Sequence, residues 1–295
     1  MGRVNVQWLR RQLIKLTDGR PQDWTFWTRF PSPELVQAIE ALPFRRNLYE
    51  PIDRYDASLD FSPSERGRIA LAEARLLSRA TVIAGSRSVA ERFQQAAGGS
   101  TWIPFGCDCG VAKKDACSMS AGNEIRIGVV AEFDWRVDEQ LISRIADERP
   151  NWKLVLVGPL SKRWGAGLAR LKNIEFIGRV DAPEVAGHVA SFNVALIPYV
   201  LNDWTRACLP VKVYEYLAQG RPVVSTQLPE LAPFSEVVDL APANDFGAAI
   251  KRALDSDSPA ARERRVQAST RFTLQDRARK AVELLEGKPV VAAVL

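Results

Sequence analysis

Between residues 125 and 226, short apolar runs alternate with helical patterns, and that alternation leaves few folds open. Ile125 to Val130, Trp152 to Gly158, Asn173 to Gly178, Val194 to Pro198 and Val223 to Thr226 are each of strand length. Most are apolar almost throughout, as strands buried on both faces must be. Between them, Glu139 to Glu148, Ala182 to Ser191 and Pro210 to Gln219 repeat apolar residues at helical spacing. Strands joined by crossover helices make a parallel sheet, so this stretch is expected to form a doubly wound, Rossmann-like domain. Such sheets bind ligands at the carboxyl ends of their strands. Neither Gly-x-Gly-x-x-Gly nor Gly-x-x-x-x-Gly-Lys-Ser/Thr occurs, so a dinucleotide cofactor or a phosphate loop is not expected.

A shorter version of the same alternation precedes it. Trp24 to Trp27, Arg46 to Tyr49, Thr81 to Ala84 and Trp102-Ile103 read as strands; Val6 to Leu16, Pro33 to Leu42, Ser64 to Ser78 and Ser86 to Phe93 read as helices. The expected division is a shortened N-terminal α/β domain over 1-107, a Gly/Ala/Ser/Lys-rich linker over 108-124, a Rossmann-like domain over 125-272, and a helix and tail over 273-295 that packs back toward the first domain. After Thr226, helices are expected near Phe246 to Leu254 and Leu274 to Glu286, with a charged stretch from Ala260 to Arg265 between them.

A chain of 295 residues with 46% hydrophobic and 25% charged residues has an ordinary globular balance. No apolar run is long enough to span a bilayer and no signal-peptide core is evident, so a cytoplasmic location is expected. The net charge of +5 fits an anionic ligand or an acidic membrane surface. It does not call for nucleic acid, because the basic residues are interspersed with acids and no nucleic-acid-binding motif occurs. Trp8 and Ile14, beside Arg10, Arg11 and Lys15, could lie on the inner face of an anionic membrane, or the first helix could simply pack on its own domain. The four cysteines are too few and too unevenly placed for a disulfide framework, and reduced thiols are expected. Cys107, Cys109 and Cys117 lack the spacing of a structural zinc site and His188 is remote, so no metal is expected.

The most informative segment is Pro210 to Thr226. Pro210 suits a first helical position, Gly220 the left-handed position after the end, and Pro222 forbids continuation. Val211, Tyr214, Leu217 and Ala218 are expected to face inward, with Lys212 and Glu215 together on another side. Those two are either a solvated ion pair or a ligand site, with phosphate at Pro210 to Lys212 and sugar hydroxyls on Glu215. Glu50 and Asp53 follow the second strand, where acids either cap a turn or face a cleft.

Pro104-Phe105-Gly106-Cys107-Asp108, the Rossmann-like run and Pro210-x-Lys212-x-x-Glu215-Tyr216-Leu217-Ala218-x-Gly220-Arg221-Pro222-Val223-Val224 together resemble GT-B glycosyltransferases. The resemblance is to retaining enzymes of family 4 and the teichuronic-acid branch of cell-surface polysaccharide synthesis. It implies two Rossmann-like domains, the N-terminal one incomplete here. It also implies transfer of a sugar from a nucleotide-diphosphate donor to a glycan or lipid-linked acceptor, with retention and with no cofactor or metal. Carried over, Glu215 takes the ribose and Pro210, Val211 and Lys212 meet the diphosphate. Gly158 and Arg179 line the nucleotide cleft, with their main chain near the base, and Arg136 is a second phosphate candidate. Ala207 stands where relatives carry a glutamate for the donor sugar, so Asn202, Asp203, Trp204, Thr205 and Arg206 inherit that end. Glu50 and Asp53 are candidates for the interdomain cleft, and the short first domain leaves no identified catalytic residue. The rivals are a degenerate nucleotide-sugar binder or scaffold, with a partner subunit, and a nucleotide-sugar epimerase sharing the fold.

Overall fold

The computed structural model describes residues 5–107, 124–162 and 164–287. All but Glu124 of the expected linker lies outside them. The chain forms two compact units, one of Met1–Pro104 with Ala278–Val294, the other of Phe105–Arg277.

The first unit is a four-stranded parallel sheet of β1 (Thr25–Thr28), β2 (Arg46–Tyr49), β3 (Thr81–Ala84) and β4 (Ser100–Trp102), in that order. Its helices are α1 (Val6–Leu16), α2 (Pro33–Ile39), α3 (Pro63–Leu77) and α4 (Arg87–Arg92). Ser62 and Glu65 close a reciprocal capping box on α3: the Glu65 amide donates to the Ser62 hydroxyl, and the Ser62 amide to the Glu65 carboxylate at 2.9 Å. Leu48, Ile83 and Ile103 pack with Ala281, Leu284 and Leu285 from the last helix of the chain. Arg46 donates to the Leu284 and Leu285 carbonyls, a cation at the end of a helix where backbone acceptors lack partners.

The second unit holds β5 (Ile125–Val130), α5 (Glu139–Glu148), β6 (Trp152–Val157), β7 (Ile174–Gly178), α6 (Ala182–Ala190), β8 (Val194–Ile197), α7 (Asp203–Arg206), α8 (Lys212–Ala218), β9 (Val223–Thr226), β10 (Val238–Ala241), α9 (Phe246–Asp255) and α10 (Pro259–Ser269); α11 (Leu274–Leu285) starts here and ends in the first unit. Its six strands are all parallel in the order β10-β9-β8-β5-β6-β7. This is the doubly wound order, and the direction of winding reverses between β5 and β8. The expected two-sheet α/β architecture is therefore present.

Several local expectations need correction. Helix α8 is shorter than Pro210 to Gln219, because Pro210 and Val211 form its entry turn, accepting from the amides of Val213 and Tyr214. Val211 is exposed at 38% while Tyr216 is fully buried, because the helix is enclosed on most sides instead of presenting one apolar stripe. The charged stretch after Ala260 is helical. Ser258 caps α10, and Arg265 is buried against α8, donating to the Gly220 carbonyl at 2.9 Å while paired with Asp257. Strand β10 and helix α7 are additional. Cys208 is a free thiol as expected, but Cys107 is disulfide-bonded. Cys109 and Cys117 lie outside the described residues.

Candidate functional site

At the reversal point β5 and β8 pair only through Ile127 with Val194 and Gly128 with Ala195, and beyond that they part. The gap is closed by a side chain from α8. The Val130 amide donates to the Tyr216 hydroxyl at 2.8 Å, and that hydroxyl lies 3.4 Å from the Leu196 carbonyl, which it faces as donor. A buried phenol thus fastens α8 to the carboxyl ends of both central strands. Burial pushes the Tyr216 pKa well up, so the hydroxyl remains a donor across the working pH range.

The loops that follow these strands are tied together. Val137 bridges to Tyr199, the Val200 amide donates to the Arg136 carbonyl at 2.9 Å, and Thr226 donates its hydroxyl to the Tyr199 carbonyl at 2.9 Å. Between them lies a cleft of about 490 Å³ lined by Val130, Ala131, Glu132, Arg136, Val157, Gly158, Pro159, Arg179, Val180, Val185, Tyr199, Lys212 and Glu215. Gly158 has φ +135°, and a Cβ there would lie 1.8 Å from the Ala131 carbonyl oxygen. Only glycine lets the turn after β6 approach the turn after β5 this closely.

Lys212 and Glu215 are both half-buried in this cleft, and neither makes a hydrogen bond or close ion pair among the described residues. The solvated ion pair considered from the sequence does not form. The Lys212 ammonium instead sits over the Tyr199 ring, 4.8 Å from its centroid. Burial pulls the Lys212 pKa down from 10.5 to about 8; Arg136 adds to the fall, and Cys208, Glu215 and Asp134 oppose it. Burial raises the Glu215 carboxyl against the opposing pull of Lys212. A cation and a carboxylate that lack full partners, on the floor of a cleft at a switch point, suit an anionic group and hydroxyls respectively.

Arg136 is engaged differently. Its Nε donates to Asp134 at 2.9 and 3.0 Å, and Nη2 reaches Glu132 at 3.1 Å, while the guanidinium lies over Trp204. Burial acts to lower its pKa, but the Asp134 hydrogen bonds and charge prevail and hold it above the usual value. Two carboxylates already offset this charge, which weakens it as a phosphate ligand. Arg179 is exposed at the cleft edge after β7.

Of the expected nucleotide residues, Glu215, Lys212, Gly158, Arg179 and Arg136 line this one cleft, and Pro210 and Val211 do not. Pro210 is buried in the entry turn, and Val211 opens with Glu215 onto an adjoining pocket of about 460 Å³. The sugar-end candidates are outside the cleft. Asn202 caps α7 by accepting from the Trp204 and Thr205 amides, and the wholly buried Thr205 hydroxyl donates to the Val200 carbonyl at 2.5 Å. Their polar atoms are occupied in forming a short helix, a competing use of Asn and Thr that spacing alone does not separate from ligand binding. Asp203 and Arg206 are exposed on the same helix. Glu50 is only 2% exposed and accepts from Trp27 Nε1 and Arg29 Nε, both at 3.0 Å, fastening the ends of β1 and β2; Asp53 is half-buried nearby in sequence, its charge raising the Tyr55 pKa. Tyr216 and Tyr199 were not singled out from the sequence. Their role depends on which strands part, and no residue pattern carries that.

A larger groove, about 820 Å³, is lined by Pro222, Val223, Val238, Asp239, Arg252 and Arg265 among others, at the amino ends of β9 and β10. That is the end of a parallel sheet opposite to where ligands bind, and it holds no carboxyl-end loop.

Comparison with known proteins agrees with this geometry. Residues 129–256 match the family described as Glycosyl transferases group 1. Over 116 residues the chain is 31% identical to Bacillus subtilis (strain 168) TuaH, a protein named for a glycosyltransferase role in teichuronic acid biosynthesis; the match covers 38% of this chain and 29% of TuaH. Among solved structures, sucrose-phosphate synthase of Thermosynechococcus elongatus superposes with TM-score 0.73 at 21% identity over 97% of this chain and 80% of its own. Anabaena HepE, solved with UDP and glucose, gives 0.70 at 16% over 94% and 80%. WaaG, a glycosyltransferase involved in lipopolysaccharide biosynthesis, gives 0.70 at 15% over 97% and 85%. The protein has the GT-B glycosyltransferase fold. The stretch of the second unit that matches the group 1 glycosyl transferase family, residues 129–256, contains every residue of the cleft.

Proposed function

We propose that this protein is a glycosyltransferase that binds a nucleotide-diphosphate sugar in the cleft of the second unit and transfers the sugar to a glycan or lipid-linked acceptor. The observation that carries the reading is the pair Lys212 and Glu215, one helical turn apart at the switch point, each half-buried and with no side-chain hydrogen-bond partner among the described residues. Lys212 meets the diphosphate and Glu215 accepts from the ribose hydroxyls. The base is assigned to the main chain at Gly158 and around Arg179, which line the same cleft. In transfer, the bond from the anomeric carbon to the phosphate oxygen breaks and the acceptor oxygen bonds on the same face. The acceptor proton leaves with the diphosphate, whose growing charge Lys212 offsets. No metal is assigned to this step. HepE is known with UDP, and TuaH is named for teichuronic acid biosynthesis, which makes UDP the first nucleotide to test and a glycan the first acceptor.

Calorimetry with UDP and GDP, on the protein and on Glu215→Ala, is the direct test. Binding that weakens at least tenfold in the variant supports the ribose assignment, since a charge-assisted hydrogen bond is worth about 1.5–3 kcal/mol. Unchanged affinity would sink it. Turnover of nucleotide sugars in the presence of a chelator tests the metal-free step, and loss of activity there would require a metal. A second reading, a nucleotide-sugar binder without transfer, is favoured by the use of Asn202 and Thr205 in capping α7. Tight nucleotide binding with no hydrolysis or transfer across a donor panel would establish it instead.

A further inference from the structure

A second carboxylate stands in the donor cleft, unused by the ribose and phosphate assignments. Glu132, in the loop after β5, and Glu215 are the acids that line the cleft among the described residues. They differ in setting. Glu215 is half-buried on α8, whereas the Glu132 side chain is 64% exposed. Its Oε2 accepts from Nη2 of Arg136 at 3.1 Å. Arg136 in turn lies over the Trp204 ring of α7, and its charge acts on Lys212. Helix α7 follows β8, on one flank of β5, while Gly158 and Arg179 follow β6 and β7 on the other flank. The Glu132 carboxylate is therefore drawn to the side of Lys212 and Trp204, away from the residues assigned to the base. With the diphosphate on Lys212, this is the end that the transferred sugar occupies.

The chemistry of that end is one-sided. Arg136 faces two carboxylates, Asp134 and Glu132, and the exposed Asp203 and Arg206 of α7 offset each other. Lys212 is engaged by the diphosphate, so the sugar end holds one carboxylate in excess. The polar atoms of Asn202 and Thr205 are taken by the cap of α7, which leaves Glu132 as the cleft-lining side-chain carboxylate on this flank. A carboxylate only accepts hydrogen bonds, and vicinal hydroxyls of a pyranose offer two donors to its two oxygens. A sugar with a carboxylate of its own meets repulsion instead. A pyranose is smaller than the Debye length of about 8 Å at physiological ionic strength, so an acid anywhere on the ring lies within reach of Glu132. We propose that Glu132 selects the transferred sugar, accepting hydroxyl hydrogen bonds from a neutral hexose or N-acetylhexosamine and rejecting uronic acids. The inference rests on the donor-site reading of the cleft and adds the class of sugar to it.

Calorimetry with UDP, with the neutral donors UDP-glucose, UDP-galactose and UDP-N-acetylglucosamine, and with the acidic donors UDP-glucuronate and UDP-galacturonate tests both halves, with GDP, GDP-mannose and GDP-mannuronate alongside. The parent is expected to bind at least one neutral donor more tightly than any acidic one, by about tenfold or more. Glu132→Ala should weaken that neutral donor roughly tenfold, the loss of a hydrogen bond to a charged group, and leave the free nucleotide unchanged. Glu132→Gln should strengthen the acidic donors about three- to tenfold, since it removes one like charge at a separation of several ångströms. Glu263→Gln, at an exposed acid of α10 that does not line the cleft, makes the same change in net charge and should alter none of these affinities. Equal affinity for neutral donors in the parent and in Glu132→Ala would overturn the proposal. So would tighter binding of an acidic donor by the parent, which would give the sugar carboxylate to Arg136, or a loss of free-nucleotide affinity in Glu132→Ala, which would place Glu132 at the nucleotide. The donor-site reading fails separately, if neither UDP nor GDP binds the parent, and the inference then falls with it.

Discussion

Two tyrosines one residue apart from Glu215 give opposite expectations from almost identical chemistry. Tyr216→Phe deletes a hydroxyl that takes the Val130 amide at 2.8 Å and faces the Leu196 carbonyl, where β5 and β8 separate. The Tyr216 side chain is wholly buried and Val130 is half-buried, so the Val130 amide loses this partner, which costs about 1–3 kcal/mol. Tyr214→Phe deletes a hydroxyl that is equally buried but has no hydrogen-bond partner among the described residues, while its ring packs on Phe234 and Phe272 at 5.7 and 5.4 Å. Removing a buried, unsatisfied hydroxyl and keeping the ring is expected to be neutral, or to stabilise by up to about 1 kcal/mol. Urea unfolding followed by tryptophan fluorescence separates the two. With an m-value of about 2 kcal/mol per molar, a loss of about 2 kcal/mol lowers the midpoint by about 1 M in Tyr216→Phe, and Tyr214→Phe stays at or above the parent. UDP affinity should fall in Tyr216→Phe alone, because that hydroxyl positions the helix that carries Lys212 and Glu215. Equal midpoints for the two variants, or a loss confined to Tyr214→Phe, would refute the reasoning.

Gly158→Ala forces a Cβ to within 1.8 Å of the Ala131 carbonyl oxygen at a φ that side chains rarely adopt, so a loss of about 2–5 kcal/mol is expected from the clash and the strain together; an unchanged melting temperature would contradict it. Lys212 has a native pKa of about 8 against an ordinary 10.5, so the unfolded chain holds this proton over a window where the native state has released it. Stability from this group therefore rises with pH from about 8 to 10.5, while affinity for UDP, which needs the cation, falls about tenfold between pH 7 and pH 9. Calorimetry across that range should show the loss in the parent, and Lys212→Met should bind weakly with no such slope.

The parts of the fold that local pattern controls were legible. Arg46 to Tyr49, Thr81 to Ala84, Ile125 to Val130, Glu139 to Glu148 and Val223 to Thr226 occupy the stretches expected of them, because apolar runs and spacing determine those elements with little help from elsewhere. The misreadings share one cause, a side chain whose role is set by a distant partner. Ala260 to Arg265 looks too charged to pack, yet Arg265 is buried because Asp257 and the Gly220 carbonyl take its donors. Asn202 and Thr205 have the chemistry of sugar ligands, and the local backbone uses that chemistry first. Arg136 is basic and well placed, but Asp134 two residues earlier holds it. Sequence chemistry names which residues are able to bind; the partners already bonded to them decide which remain open to a ligand.

By that criterion the cleft is uneven. Under the proposed function a phosphate would rest on Lys212, its pKa lowered by burial, and on Arg179 at the rim, and a ribose on Glu215, shifted in the other direction. Both shifts oppose charge, and a nucleotide diphosphate would reverse both, giving Lys212 an anion and Glu215 hydroxyl donors. The ligand would then be held in part by relieving a desolvation cost that the folded protein carries without it. That cost is tolerable because α8 is secured elsewhere, by the Tyr216 hydroxyl at its strand side and by Arg265 at the Gly220 carbonyl, where φ is +64° and the chain turns into β9. Loosening either anchor should therefore weaken nucleotide binding and stability together.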